Sequence, residues 1–340
     1  MRNATIDGMK GVGIILVVVY HAVSVNVPGA RELFTNGLYN VIASFFMQLF
    51  MVVSGYLAYG KLSNKEWVTS RVIRCAVPTL VFTIIFWFFT RAFHVETYDL
   101  PLLEYLLFTF VVGYNGLVVW YLWTLMFCYL VGYVLELLPK KVPMVGWFLL
   151  AFAVMNLLPL NLLGFGFLKW YGIFFFMGYL IKSGEKYNLK FLPYLSLLLF
   201  PFYVYMTDWM KPYQNLTYGM TGYVNLIGAL AHGELELAGV TFIMAVMGVC
   251  FVYSLVSLVK WQPLVFTLAY IGRASIGVFL LHYFFVGVFH NVIISTLFSL
   301  CVSLALYEGL KRIKVTNLVL FGGTDIPMRL SEKIYSAGEA

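Results

Sequence analysis

Charge is what this sequence has least of. Of 340 residues only 11% are Asp, Glu, Lys or Arg, while 62% are hydrophobic. A soluble domain carries about 25% charged and about 45–50% apolar residues. The shortage, with a mean hydropathy of +0.88, excludes a soluble domain and defines a polytopic membrane protein. Cysteine is scarce too: Cys75, Cys128, Cys250 and Cys301 show no paired spacing. That excludes a disulfide framework and a cysteine metal site, and the four read as small packing residues. The apolar runs do not alternate with polar residues, which excludes a barrel. No internal repeat and no basic cluster is apparent, so nucleic acid is not an expected partner. The first apolar run is too long for a signal-peptide core, contains a histidine and lacks a small-x-small site after it.

What is present is apolar length. A span needs roughly 20 mostly apolar residues. Ten segments qualify: 10–27, 40–60, 73–93, 116–137, 142–160, 164–182, 190–207, 236–259, 270–289 and 291–310. Segments 102–114 and 218–231 are apolar but poorer, and read as interfacial or re-entrant pieces. With the N-terminus inside, only Arg31, Arg91, Lys169 and Lys211 of the 22 basic residues fall outside, leaving eighteen inside. Positive charge collects on the cytoplasmic face. One missed span would invert every later loop and spoil this bias. The fold expected is therefore an all-α bundle of about ten spans with both termini cytoplasmic. Residues 1–314 form the transmembrane domain and 315–340 a short tail.

Ionisable groups inside spans are costly and usually face a cavity or a partner. His21 lies eleven residues beyond Lys10, roughly 16 Å along its helix, and His282 nine beyond Arg273, roughly 13 Å. Both helices run outward, so both imidazoles reach similar depths and point to a shared polar chamber. Such a ring takes and returns a proton near neutral pH. Two structural packing histidines are the plain alternative, and a proton-coupled transporter would use the same residue.

Arg71 and Arg74 stand three apart in RVIR, after Lys61 and Lys65. Two guanidiniums suit a phosphate clamp; anchoring to lipid head groups explains them equally well. Asp7 and Lys10, in TIDGMKG, are also three apart and fit either an ion pair or a helix cap with a snorkelling lysine. Ser54-Gly55 interrupts LFMVVSGYL, which reads first as close helix packing. Trp120, Tyr121 and Trp123 in VVWYLWTL read as an interfacial belt or as a sugar-stacking platform.

In order along the chain stand TIDGMKGVGIILVVVYH, LFMVVSGYL, RVIRCAVP, VVWYLWTL, FFFMGYL, ASIGVFLLH and LVLFGG. This ordered set resembles the integral-membrane acyltransferase type 3 family over nearly the whole chain. The resemblance implies transfer of an acyl group, most often acetyl, from cytoplasmic acetyl-CoA or another acyl-CoA. The acceptor would be a sugar hydroxyl on a surface or exported glycan, finished or lipid-linked. It implies a bacterial-type cytoplasmic membrane and no metal. His21 and His282 become the catalytic candidates, and Asp7, Lys10, Arg71 and Arg74 the donor-binding ones. Trp120, Tyr121, Ser54 and Ser275 fall to the substrate. Lys10 stands where the family usually has Arg, keeping the charge without the planar fork. Phe46 and Gln48 replace a His-x-Pro found in some relatives, so no role that needs that histidine carries over. A transporter or flippase of a polar lipid is the rival; it predicts inverted repeats and matching broken helices.

Overall fold

The computed structural model describes residues 3–27, 29, 32, 36–92, 100–112, 120–157, 162–184, 192–206 and 235–323. The described residues form helices without a strand. In chain order they are α1 (Ala4–Asn26), α2 (Gly37–Ala43), α3 (Phe46–Ala58), α4 (Lys65–Ala92), α5 (Leu102–Leu107), α6 (Trp120–Glu136) and α7 (Met144–Leu157). Then follow α8 (Phe165–Ser183), α9 (Ser196–Met206), α10 (Leu235–Leu258), α11 (Gln262–Arg273), α12 (Ser275–Leu281), α13 (Val292–Leu310) and α14 (Lys314–Phe321).

Each of the ten apolar segments contains a helix. Among the described residues, however, five helical units are long and apolar enough to cross a membrane alone: α1, the α2–α3 pair, α4, α10 and α13. A sixth arises if α11 and α12–Phe284, bent by 60° against each other, count as one span. The helices of 120–136, 144–157 and 193–206 are shorter, and Lys169, Trp170 and Tyr171 dilute the apolar run of α8. Segment 102–114 holds α5, which passes into a π-helical turn at Phe108–Val112; segment 218–231 lies outside the described residues.

Local chemistry sets the helix ends. Asn3, not Asp7, caps α1: its side chain accepts from the N–H groups of Thr5 and Ile6. Asp7 lies a turn further in and pairs with Lys10 at 2.5 Å. Asn291 caps α13 in the same way. The expected continuous span 270–289 is broken at Ala274, and a 3-10 turn begins at His282. Residues 314–323 do not leave the bundle. α14 docks on α4, where Gly322 sits so close that a Cβ would lie 2.5 Å from the Cα of Arg74. Residues 324–340 of the expected tail lie outside the described residues.

Two helix pairs approach to backbone contact through glycine. In α3 and α8, a Cβ on Gly55 would lie 1.7 Å from the carbonyl oxygen of Phe175, and one on Gly178 would lie 1.9 Å from that of Val52. In α1 and α11, a Cβ on Gly11 would lie 2.1 Å from the carbonyl oxygen of Leu268, and one on Gly272 would lie 1.8 Å from that of Asp7. Each contact is reciprocal, and each pair runs in one direction. Small residues at such crossings let lipid-embedded helices pack without a hydrophobic drive.

Candidate active site

The α1–α11 crossing fixes what happens further along both helices. His21 lies ten residues past Gly11, and His282 ten past Gly272. The two rings meet: His282 Nε2 is 3.2 Å from His21 Nδ1. Each also bonds through Nδ1 to the carbonyl four residues back, His21 to Val17 and His282 to Val278, both at 3.0 Å. His282 Nδ1 is further 2.8 Å from the carbonyl of Phe279.

These partners fix the tautomers. A carbonyl oxygen only accepts, so Nδ1 carries the hydrogen in each neutral ring. His282 then presents a bare Nε2, which accepts from His21 Nδ1–H. His21 is left with its own Nε2 unprotonated. Ser299 donates to the carbonyl of His282 at 2.8 Å, tying the 3-10 turn to α13. Tyr20 and Tyr283 stand edge-on to the His21 ring at 5.1 and 5.5 Å. His282 is fully buried and His21 half-buried.

A cavity of about 350 Å³ opens among α1, α3, α4, α6 and α12. α1 contributes Asp7 and Lys10, α3 contributes Phe50 and Ser54, and the turn after α3 contributes Lys61. α4 adds Trp67 and Arg71, α6 adds Tyr121, Leu122 and Tyr129, and α12 adds Ser275 and Phe279. One end is therefore cationic and the other aromatic. Arg71 and Lys61 stand over the Trp67 ring at 5.0 and 5.9 Å from its centre. Burial and the neighbouring Arg71 charge pull the Lys61 ammonium below its ordinary pKa. Crowded like charges of this kind favour an anionic ligand.

Six of the residues singled out from sequence share this cavity: Asp7, Lys10, Ser54, Arg71, Tyr121 and Ser275. Arg74, Trp120, His21 and His282 do not line it. Arg74 is half-buried under the α14 segment. Trp120 stacks on Phe167 at 4.8 Å and leans on Tyr171 at 4.7 Å, so Trp120 and Tyr121 form no joint platform. Trp67, Tyr129, Phe50 and Phe279 line the cavity without having been singled out. The first two carried a helical signal: Trp67 precedes Arg71 by four residues, and Tyr129 follows Tyr121 by eight. No group of three or more His, Cys, Asp or Glu among the described residues is placed to hold a metal ion, and all four cysteines are free thiols.

The type 3 acyltransferase family model, described as an acyltransferase domain, matches residues 3–308. The chain belongs to the acyltransferase type 3 family. Its apolar helices and this membership make it a multi-pass membrane acyltransferase. No curated protein and no solved structure matches the chain. The match spans both histidines and every cavity residue, and stops before α14. The segment that covers Arg74 is therefore an element of this chain outside the matched acyltransferase domain.

Proposed function

We propose that this acyltransferase moves an acyl group, acetyl first, from acyl-CoA to a sugar hydroxyl of a surface or exported glycan, finished or lipid-linked. The observation that carries the reading is the polarity of the cavity: cations at one end, and at the other the rings that separate it from a paired histidine. Lys10, Lys61 and Arg71 hold the donor phosphates at the mouth. The acyl arm reaches toward the histidines. His21 Nε2 takes the proton of the acceptor hydroxyl as its oxygen attacks the thioester carbon. The C–S bond then breaks, and the leaving thiolate takes the proton back from His21. His282 keeps His21 in the required tautomer, and its bare Nε2 stabilises the imidazolium through Nδ1–H. Serine and tyrosine groups at 54, 121 and 275 lie along the donor arm, while Trp120 belongs to the packing around α8. A bundle of ten spans with both ends in the cytoplasm of a bacterial-type membrane places the mouth on the acyl-CoA side.

The test is membrane vesicles given acetyl-CoA labelled in the acetyl group, with label followed into glycan and lipid-linked glycan. Label in either fraction supports the reading. Its absence from both, with acceptor supplied, sinks it and promotes the rival transporter reading. Within that assay Arg71→Ala is expected to raise KM for acetyl-CoA about tenfold or more, since a hydrogen bond to a charged group contributes about 1.5–3 kcal/mol. Arg74→Ala is expected to raise it less, because Arg74 does not line the cavity. Equal effects would move the donor phosphates toward Arg74.

Topology has its own test. Ser63 is exposed in the turn between α3 and α4. A Ser63→Cys variant, with Cys301→Ser removing the exposed native thiol, is expected to react with impermeant thiol reagents only from the cytoplasmic side. Labelling from outside would invert the orientation.

A further inference from the structure

The cavity stops short of the histidines. Its inner wall is three rings from three helices: Phe50 of α3, Tyr121 of α6 and Phe279 of α12. Tyr121 stands 5.4 Å from Phe279 and 5.8 Å from Phe50, centre to centre. Beyond them, the Phe279 ring lies 6.2 Å from His282. All three are buried. Tyr121 differs from the other two in carrying a polar latch, its hydroxyl meeting Ser54 Oγ at 3.3 Å. Hydroxyl pairs usually sit near 2.7–2.8 Å, so this bond is long and weak.

The reaction proposed above needs the thioester carbon beside His21, on the far side of these rings from the cationic mouth. Resting on that reading, we propose that Tyr121 is a specificity-determining residue, a side-chain gate that admits short acyl groups and turns back long ones. Rotation of the Tyr121 ring breaks the one long bond to Ser54 and opens a passage bounded by Phe50 and Phe279. An acetyl group crosses as a single small unit. The acyl end leads and the donor arm follows, so a long chain must thread its whole length between the rings before the donor phosphates reach the mouth, and must then find room beyond them. With the ring closed, water in the cavity is kept from the histidine pair, which protects the thioester from hydrolysis.

The test uses the full-length protein in vesicles with acetyl-, butyryl- and octanoyl-CoA. It reads transfer to the glycan fraction, and CoA release without acceptor. Wild type is expected to prefer acetyl over octanoyl at least tenfold in kcat/KM. Tyr121→Ala is expected to raise the octanoyl-to-acetyl ratio tenfold or more and to increase acceptor-independent CoA release. Tyr121→Phe keeps the ring and loses the latch, so its chain-length ratio is expected to stay with wild type. Should Tyr121→Ala not fold, Phe279→Leu widens the same passage and is read in the same way. An unchanged ratio and unchanged CoA release in a folded Tyr121→Ala or Phe279→Leu overturns the gate while wild-type transfer leaves the parent reading standing. A wild type that moves no acyl group from any of the three donors overturns both.

Discussion

His21→Ala is expected to abolish acyl transfer while the protein still inserts and purifies. A positioned general base contributes about 10²–10⁴-fold, and His21 presents an unprotonated Nε2 that the bond between the two rings leaves unoccupied. Among the described residues its polar partners are one backbone carbonyl and one imidazole, so its loss breaks no wider polar network. His282→Ala is expected to lower kcat more than tenfold but less than His21→Ala. It deletes the acceptor for His21 Nδ1–H and leaves the Val17 carbonyl to hold the ring. His282→Gln returns an amide oxygen to that place and is expected to recover part of kcat with KM for acetyl-CoA unchanged. The measurement is label transfer from acetyl-CoA at saturating donor, with size-exclusion profiles alongside. Transfer retained in a well-folded His21→Ala would remove His21 from the chemistry. Label bound covalently to wild-type protein before acceptor is added would show the same nitrogen acting as a nucleophile through an acyl-imidazole.

The common level of the two histidines was legible in the sequence; their direct contact was not. Counting residues from the basic ends of two helices read as running the same way predicts one depth for both rings, and the structure brings them to 3.2 Å. The count works because a helix has a fixed rise per residue. It ignores bends, and the 60° break at Ala274 was not foreseen. The Asp7–Lys10 pair was legible for the same reason, as an i, i+3 spacing on one helix face.

Side-chain direction was less legible. Trp120 and Tyr121 are neighbours in sequence, and the sequence reads them together with Trp123 as an interfacial belt or a sugar-stacking platform. Successive residues on an α-helix point about 100° apart, so both rarely serve one cavity. Tyr121 turns inward to Ser54, and Trp120 turns to Phe167. Arg71 and Arg74 share a face more nearly, but α14, about 240 residues further along the chain, closes over Arg74. No local pattern announces a contact of that range. The same holds for the rings of Phe50, Tyr121 and Phe279, which three separate helices bring together.

The glycine crossings show what a local motif hides. Gly55-Tyr56-Leu57 and Gly178-Tyr179-Leu180 repeat three residues in two parallel helices that pack on each other, and the resemblance is too short to register as an internal repeat. Its energetic weight is large. Gly55→Ala sets a methyl 1.7 Å from a backbone carbonyl that cannot rotate away, so α3 and α8 must separate. Overpacking of this kind typically costs about 1–3 kcal/mol and sometimes more, and separation also loses the close dispersion contacts that hold lipid-embedded helices together. Gly309, in α13, meets nothing within 4 Å of a built Cβ. There Ala is expected to be neutral or to stabilise by up to about 1 kcal/mol, through helix propensity. Thermal inactivation in detergent should therefore fall sharply for Gly55→Ala and hold or rise for Gly309→Ala. Adding Gly178→Ala to Gly55→Ala is expected to cost much less than Gly178→Ala alone, because one separation relieves both clashes and residues in contact do not add. Full additivity would mean that the two helices yield independently and that the reciprocal crossing is not one structural unit.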